Sequence, residues 1–329
     1  MHNLGDDWLL KVFTEYAENA GHQVTFLVEA KSQLQIPSMN NDVIRWPSLR
    51  SLDSFHDCVT SINANDFLVF AGGGWFAADR NSKEMIIWWR RIQKIEIPIF
   101  TLSNGFGPFS KRVGKFFAKK ALNKLSTQMS RPFHVRTSHD GRELTEQGVM
   151  DFNVGSDLAL GDAIFLDASG TEMRSDILVS LPRLRKSLEF EDFAKWIENL
   201  KDFLLEYNRE VYFLEMQSGE HGDYDFWKLH FPNMIAVRDL TELESVLQKT
   251  EYLVSGRLHG VIAGLAARVP NIMAISYHHK FDLLCEFGVE PLALGSVQFQ
   301  FNNPNYDAAE FHHEGVKDEI NSILGIHDI

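Results

Sequence analysis

The chain has 329 residues, of which 44% are hydrophobic and 23% are charged. This length and balance are typical of a globular protein with about two domains. The formal net charge of −13 argues against a nucleic-acid-binding protein, because such proteins carry clustered basic residues. The two cysteines, Cys58 and Cys285, lie far apart in apolar surroundings, which favours buried thiols in a reducing compartment. A cytoplasmic location is expected, since polar residues follow Met1 and no apolar run reaches membrane-spanning length.

The first half of the chain alternates predicted helices and strands. A polar loop over residues 2–7, in which Asp6 or Asp7 caps the next helix, leads into a helix over residues 8–20. An open sheet that begins with a helix lacks an expected first strand, so either that strand is absent from the sequence or the sheet is one strand short. The predicted strands cover residues 23–28, 42–46, 66–70, 97–102 and 133–135, and the predicted helices between them residues 51–63, 82–95, 110–125 and 140–147.

Two glycine-rich loops directly follow predicted strands. Gly72–Gly74 comes after the strand at 66–70, and residues 103–108 come after the strand at 97–102. Glycine lets the backbone approach a ligand closely. The spacing is not that of a dinucleotide-binding loop, however, and plain tight turns are the alternative.

Between residues 97 and 139 the sequence contains no Asp or Glu, although the whole chain is acidic. On the predicted helix at 110–125, helical spacing directs Val113, Phe117 and Ala121 to the core. The same spacing turns four basic side chains outward, namely Arg112, Lys115, Lys119 and Lys120. Such a face predicts weak, salt-sensitive association with the anionic inner surface of the cell membrane. A solvated lysine face that balances the acidic remainder is the alternative.

The second half alternates strands and helices more regularly. Strands are predicted over residues 176–181, 210–215, 234–237, 252–254 and 271–275, and helices over 190–207, near Phe226, over 240–249, 258–267 and 307–324. Residues 167–175, rich in small and polar side chains, are the predicted linker. The alternation predicts an α/β protein of two Rossmann-like, doubly wound domains, residues 1–168 and 174–329, that face each other across a cleft.

The stretch Ser255-Gly-Arg-Leu-His259 is the strongest functional candidate. It links a short apolar strand to a helix, with Ser255 as the expected N-cap residue. Ligands of doubly wound sheets bind outside the carboxyl ends of the strands, and a helix N-terminus favours an anion. We therefore expect Arg257 and His259 to bind an anionic ligand. The plainer alternative is that both residues only cap or pack the helix.

Short stretches spread along the chain resemble, in the same order, those of the polysaccharide pyruvyl transferases. These stretches are Asn3-Leu-Gly-Asp-Asp7, Gly72-Gly-Gly74, Asn104-Gly-Phe-Gly-Pro108, Val135-Arg136, Ser138, Leu144, Asp157-Leu-Ala-Leu160, Ser255-Gly-Arg-Leu-His259, Val269-Pro270 and Ile275-Ser-Tyr277. Each piece is short, but the ordered set is specific and covers nearly the whole chain. The resemblance implies a fold similar to that of the GT-B-like glycosyltransferases, with the acceptor in the N-terminal domain and the donor in the C-terminal domain.

The resemblance also implies an activity, the transfer of a pyruvyl group from phosphoenolpyruvate to two sugar hydroxyls, which forms a cyclic ketal on a polysaccharide or its precursor. The donor site that it implies contains Arg136, Ser255, Gly256, Arg257, Leu258 and His259, with Arg257 and His259 as catalytic residues. The acceptor-side candidates are Asn3, Asp6, Asp7, Gly73, Gly74, Asn104 and His139. Thr137 stands where the family usually has an acidic residue, and Leu158 stands where proline is common.

The residue types fit this chemistry. Phosphoenolpyruvate carries a carboxylate and a phosphate, which arginines bind through paired, charge-assisted hydrogen bonds. Because histidine titrates near neutrality, His259 can protonate either the methylene carbon or the departing phosphate, and the sequence leaves both roles open. Asp6, Asp7 and His139 are candidates for the base. The Asp-x-Asp pattern at residues 223–225 is interpreted as chance, so no metal or cofactor is expected.

Two other functions stay open. A nucleotide-sugar-dependent glycosyltransferase of the same architecture would place a nucleotide diphosphate at the helix start. A catalytically inactive sugar-binding relative is the third possibility, against which the presence of both Arg257 and His259 argues. In each case the expected partner is a sugar, a glycan or a lipid-linked saccharide, and not a nucleic acid.

Overall fold

A computed structural model describes residues 2–29, 42–46, 53–74, 82–109, 112–162, 174–183, 193–218, 222–277 and 279–325. These residues form two compact units. The C-terminal unit contains residues 2–8 and 162–313, and the N-terminal unit contains residues 9–29, 42–161 and 314–325. The units differ from the predicted domains in that each terminal segment belongs to the opposite unit. Most of the predicted linker lies outside the described residues.

The chain begins with a two-residue strand, β1 (His2–Asn3), followed directly by helix α1 (Leu4–Asn19). The predictions of a loop over residues 2–7 and of a helix starting at residue 8 were therefore wrong. Asp6 and Asp7 do not precede the helix but lie in its first turn, where the helix dipole favours acidic side chains. β1 is not the strand that the N-terminal sheet was expected to have before its first helix, because it pairs antiparallel within the C-terminal unit.

The N-terminal unit alternates parallel strands with helices, as predicted. Its strands are β2 (Thr25–Glu29), β3 (Asp42–Trp46), β4 (Leu68–Ala71), β5 (Ile99–Leu102), β6 (Phe133–Val135) and β7 (Phe152–Val154), and its helices are α2 (Asp53–Asn63), α3 (Ser82–Ile92), α4 (Arg112–Ser126) and α5 (Ser138–Glu146). β2 pairs with β3, β4 with β5 and β6 with β7, all in parallel. A bridge between Asn104 and Val135 places β6 beside β5. The carboxyl ends of β4 to β7 therefore lie along one edge.

Helix α4 packs on this unit with a narrow stripe of buried residues, namely Gly114, Ala118, Ala121, Leu122 and Leu125. Phe117 is partly buried against the same core. The prediction that Val113 faces the core was wrong, because its side chain is 56% exposed. The buried part of α4 is therefore narrower than the helical spacing of apolar residues suggested, and Val113 lies outside it.

The C-terminal unit has a six-stranded parallel sheet in the order β11-β9-β8-β12-β13-β14. The strands of this unit are β8 (Asp176–Ser180), β9 (Val211–Leu214), β10 (Gln217–Ser218), β11 (Ile235–Val237), β12 (Thr250–Ser255), β13 (Asn271–Ser276) and β14 (Leu292–Ala293). The helices are α6 (Phe193–Leu205), α7 (Asp223–Trp227), α8 (Leu240–Lys249), α9 (Leu258–Ala266) and α10 (Tyr306–Leu324), which continues into the N-terminal unit. From β8 the chain proceeds outward to β9 and β11 and then returns to β12 on the other side. The strand order thus reverses between β8 and β12, as in a doubly wound sheet.

Candidate active site

The stretch from Ser255 to His259 lies at the point where the strand order of the C-terminal sheet reverses. Ser255, the last residue of β12, pairs in register with Ser180, the last residue of β8. In doubly wound sheets this switch point is where ligands bind. The fold therefore places the strongest sequence candidate at the position where a ligand is expected.

Arg257, and not Ser255 as predicted, is the N-cap residue of α9, with extended backbone dihedrals of φ −108° and ψ 124°. The hydroxyl of Ser255 accepts a hydrogen bond from the Arg257 N–H at 3.1 Å and lies 2.8 Å from the Arg257 carbonyl oxygen. Ser255 is fully buried. Ser255 therefore fixes the turn that precedes α9, and the N-cap residue Arg257 makes no side-chain capping hydrogen bond.

A buried carboxylate holds the side chain of Arg257. Nη2 of Arg257 donates to Oδ1 and Oδ2 of Asp223 at 2.6 Å each, and Nε donates to Oδ2 at 3.1 Å. The side chain of Asp223 is 1% exposed and that of Arg257 is 22% exposed. Asp223 also accepts the backbone N–H of Arg183 at 2.7 Å. The carboxylate is thus satisfied and fixed, and the arginine is oriented while part of it stays open to solvent.

The strand β1 helps to build the same region. It pairs antiparallel with β10, with Asn3 opposite Gln217, and the Leu4 N–H donates to the Met216 carbonyl at 3.0 Å. The side-chain oxygen of Gln217 accepts from Nη2 of Arg257 at 3.2 Å. The first residues of the chain are therefore connected to Arg257 through one hydrogen-bonded pair of strands.

Gly5, in the first turn of α1, packs directly against the ring of His259. A Cβ atom on residue 5 would lie 2.2 Å from Nδ1 of His259, closer than real Cβ atoms approach any atom. Only glycine fits there without displacement of the ring. The N-terminal turns of α1 and α9 thus meet at Gly5 and His259, and His259 itself is half-buried.

The other predicted residues of this unit occupy different environments. The side chain of Leu258 is 2% exposed and belongs to the core, so only its backbone N–H, in the first turn of α9, faces the helix N-terminus. Gly256 is buried in the turn. In the first turn of α1, Asp7 is 3% exposed and buried, whereas Asp6 is exposed.

The glycine-rich loops of the N-terminal unit meet at the carboxyl ends of β4 and β5. Gly73 has a φ of +73°, which side-chain-bearing residues rarely adopt, and its carbonyl accepts the Gly105 N–H at 2.8 Å. Asn104 is fully buried. Its side-chain NH₂ donates to the Gly72 carbonyl at 2.5 Å, and its side-chain oxygen accepts the Leu102 N–H at 3.1 Å. Asn104 therefore joins the two loops from within, while the neighbouring Gly74 is exposed.

Arg136 follows β6 at the same edge of the N-terminal unit. Its Nη1 forms an ion pair with Oδ2 of Asp157 at 3.2 Å, and the two side chains are 9% and 1% exposed. Nη2 lies beside the backbone of Gly105, and Nε is buried with no hydrogen-bond partner among the described residues. Arg136 and Arg257 belong to different units, and the assignment of Arg136 to the donor site stays a prediction.

Two histidines of the N-terminal unit differ in environment. The buried His134 accepts the Ser103 N–H at 2.9 Å on Nδ1, and burial lowers its pKa, with a smaller opposing effect from Glu319. His134 is therefore a neutral structural group. His139, an acceptor-side candidate, is partly exposed in the first turn of α5 and lies 3.7 Å from Glu143.

The sequence interpretation missed Asp223 and Gln217. It set Asp223 aside as a chance match to a metal-binding pattern, and the structure gives this residue a different task. Among the described residues no group of three or more His, Cys, Asp or Glu side chains could hold a metal ion. A carboxylate that pairs with an arginine 34 positions away leaves no local spacing signal, so only the fold could reveal it.

The comparison with protein families assigns the chain. The model of the family "Polysaccharide pyruvyl transferase" matches residues 3–279. The chain belongs to the polysaccharide pyruvyl transferase family. The matched region runs from the end of β1 through α9 and includes the candidate residues of both units from Asn3 to His259. No curated protein matches the sequence.

Solved structures with the same fold are sugar-nucleotide enzymes. The putative UDP-N-acetylglucosamine 2-epimerase from Listeria monocytogenes superposes with a TM-score of 0.56 at 9% identity, over 98% of this chain and 95% of that one. The UDP-GlcNAc 2-epimerase from Methanocaldococcus jannaschii gives 0.55 at 9% identity, over 93% and 88%. A UDP co-structure of S. aureus MnaA gives 0.54 at 9% identity, over 99% and 96%. This likeness shows a GT-B-type α/β fold. No helix of the described part of the chain is long and apolar enough to cross a membrane.

Proposed function

We propose that this protein transfers the pyruvyl group of phosphoenolpyruvate to two hydroxyls of a sugar, forming a cyclic ketal on a polysaccharide or its precursor. The observation that carries the proposal is the family match over residues 3–279. The position of Arg257 and His259 at the switch point of the C-terminal sheet supports it, because an anionic ligand suits that place.

Phosphoenolpyruvate suits the cationic and N–H groups that lie at the switch point of the C-terminal sheet. Phosphoenolpyruvate carries two anionic groups on a small frame. Nη1 of Arg257 makes no hydrogen bond to a described residue, because the bonds to Asp223 and Gln217 use Nε and Nη2. This nitrogen and the N–H groups of the first turn of α9 are the donors proposed for the carboxylate or the phosphate. Asp223 and Gln217 act as positioning residues.

The reaction needs one acid and a path for two hydroxyl protons. Protonation of the methylene carbon makes the adjacent carbon electrophilic, and the first sugar hydroxyl adds to it. Phosphate then leaves with the C–O electron pair, and the second hydroxyl closes the ketal. One hydroxyl proton ends on the new methyl group and the other on phosphate. His259 is proposed as the acid, for the methylene carbon or for the departing phosphate, since histidine side chains ordinarily titrate near neutrality.

The test is a direct assay. The protein is incubated with phosphoenolpyruvate and a panel of glycans, and released phosphate is measured together with the ketal methyl group by NMR. Thermal melting with phosphoenolpyruvate or with UDP provides the binding screen, because a ligand that binds only the folded state raises the melting temperature. We expect phosphoenolpyruvate to stabilise the protein. Stabilisation by UDP and not by phosphoenolpyruvate would contradict the proposal and favour the glycosyltransferase alternative.

A further inference from the structure

The outward side of α4 carries apolar side chains in the middle of basic ones. We call Arg112, Val113, Phe116, Lys119 and Lys120 the α4 outer face. Phe116 and Val113 are 54% and 56% exposed, and the three basic residues are exposed as well. Spacings of three and four residues place all five on the side opposite the buried stripe of the helix. The α4 outer face therefore combines apolar and basic side chains, and all five of them are exposed.

The basic residues of the α4 outer face form no ion pair with the acidic side chains that the structure describes. No Asp or Glu occurs between residues 97 and 139. Lys115, at the flank of the face, forms an ion pair with Glu146 at 3.2 Å. No comparable ion pair joins Arg112, Lys119 or Lys120 to the described acidic residues, whereas elsewhere the chain has an excess of acids that gives a net charge of −13.

An aromatic cluster supports the exposed Phe116. Its ring packs edge-on against Phe117 at 5.3 Å, and Phe117 packs against Trp89 of α3 at 5.5 Å. The ammonium group of Lys120 lies 4.7 Å from the centre of the Phe116 ring and 5.3 Å from that of Trp89. Rings with a cation held over them combine an apolar body with a polar end, which is the composition favoured at a membrane–water interface.

We infer that the α4 outer face binds the surface of an anionic lipid bilayer, with Phe116 and Val113 at the boundary of the headgroups and Arg112, Lys119 and Lys120 among the anionic headgroups. A soluble polyanion would pair with the basic residues but would bury neither Phe116 nor Val113. A bilayer takes up both features at once. Each basic residue near such a surface contributes about a fivefold increase in binding, and the effect fades at high salt.

The experiment is co-sedimentation of the full chain with vesicles of phosphatidylcholine alone or mixed with phosphatidylglycerol, at low and high salt. We expect binding to the mixed vesicles only, weakened by salt. The variant Lys119→Glu/Lys120→Glu should lose at least about tenfold in binding. Phe116→Ser should bind several-fold more weakly while keeping the salt dependence. Melting curves verify that each variant is folded, and Phe116→Ala replaces Phe116→Ser if the latter unfolds.

A charge-matched control is Lys195→Glu/Lys249→Glu, which changes two exposed lysines of the C-terminal unit. It should bind the mixed vesicles as the unchanged protein does. Equal losses in both double variants would show a general charge effect and overturn the inference. No binding to mixed vesicles would also overturn it. Binding of a DNA oligonucleotide is the last comparison. If the unchanged protein and Phe116→Ser both bind the oligonucleotide as strongly as the unchanged protein binds the mixed vesicles, the inference is overturned, because the face would then be a site for any polyanion.

Discussion

Each unit presents an arginine just beyond the carboxyl end of a parallel strand, and each arginine is paired with a buried aspartate. In the C-terminal unit Asp223 holds Arg257 through three short contacts and leaves 22% of the arginine side chain exposed. In the N-terminal unit Asp157 contacts Arg136 at 3.2 Å, and the arginine is only 9% exposed. The same pair of residue types thus produces an oriented, accessible cation in one unit and a shielded one in the other.

The difference teaches that a buried partner can serve two purposes. An arginine with a fixed Nε and Nη2 and a free edge loses little side-chain entropy when it binds a ligand, because its orientation is already set. An arginine that is 9% exposed, with an ion pair to Asp157 and its Nη2 beside Gly105, presents less of its guanidinium to a ligand. The predictions that follow contrast matched residues of the two units.

The largest effect is expected at the two histidines that occupy the second position of their helices, His259 in α9 and His139 in α5. His259→Ala should lower kcat by about 10² to 10⁴, the usual loss when a positioned acid is removed. His139→Ala should lower kcat less, because His139 is proposed only for the acceptor side. At the start of α5 its ring already lies 3.7 Å from the carboxylate of Glu143. Phosphate release under saturating donor measures both. A larger loss in His139→Ala would move the acid to the N-terminal unit, and His259→Gln controls for the packing against Gly5.

The second contrast replaces each arginine by lysine. Arg257→Lys should weaken phosphoenolpyruvate about 10- to 100-fold, because a charge-assisted hydrogen bond contributes roughly 1.5–3 kcal/mol. Arg136→Lys should weaken the donor less and lower the melting temperature more, since its ion pair with Asp157 is buried. Calorimetric titration and thermal melting separate the two effects. Unchanged donor affinity in Arg136→Lys would remove Arg136 from the donor site.

The third contrast neutralises the two aspartates. Asp223→Asn keeps the size of the side chain but weakens its hold on Arg257, so we expect kcat/KM for phosphoenolpyruvate to fall about tenfold. Asp157→Asn should act mainly on the melting temperature of the protein, because its partner is shielded. Steady-state kinetics with varied donor give the first effect. A purely structural role of Asp223 would lower stability and leave KM unchanged.

The smallest effect on activity is expected from Gly5→Ala, which places a methyl group against the His259 ring. Displacement of the ring should reduce turnover several-fold and destabilise the fold by about 1–3 kcal/mol. Gly315→Ala on α10 is the matched control, since a Cβ there meets no atom within 4 Å and alanine is the better helix former. Full activity together with unchanged stability in Gly5→Ala would contradict the close packing.

Much of this architecture could be predicted because it depends on local patterns. Alternating apolar strands and helices indicated the parallel strands of both units, and Ser255–His259 was recognised from a strand, a turn and a helix in sequence. The strand β1 was missed because a strand of two residues is too short to show an alternating hydrophobic pattern. The residues with which it pairs, Gln217 and Ser218, lie far along the chain. The role of Asp223 was missed for a similar reason. Val113 was misplaced because helical spacing gives the direction of a face but not the width of its buried part.

The pairing of β1 with β10 has a consequence for how the protein can be dissected. Asn3 and Gln217 are separated by about 210 residues, and the end of α10 belongs to the N-terminal unit. Neither unit can therefore be expressed whole as one uninterrupted fragment. A fragment of residues 162–313 would leave the edge of β10 unpaired and the ring of His259 uncovered, so a peptide carrying residues 2–8 would have to be supplied in trans to complete it.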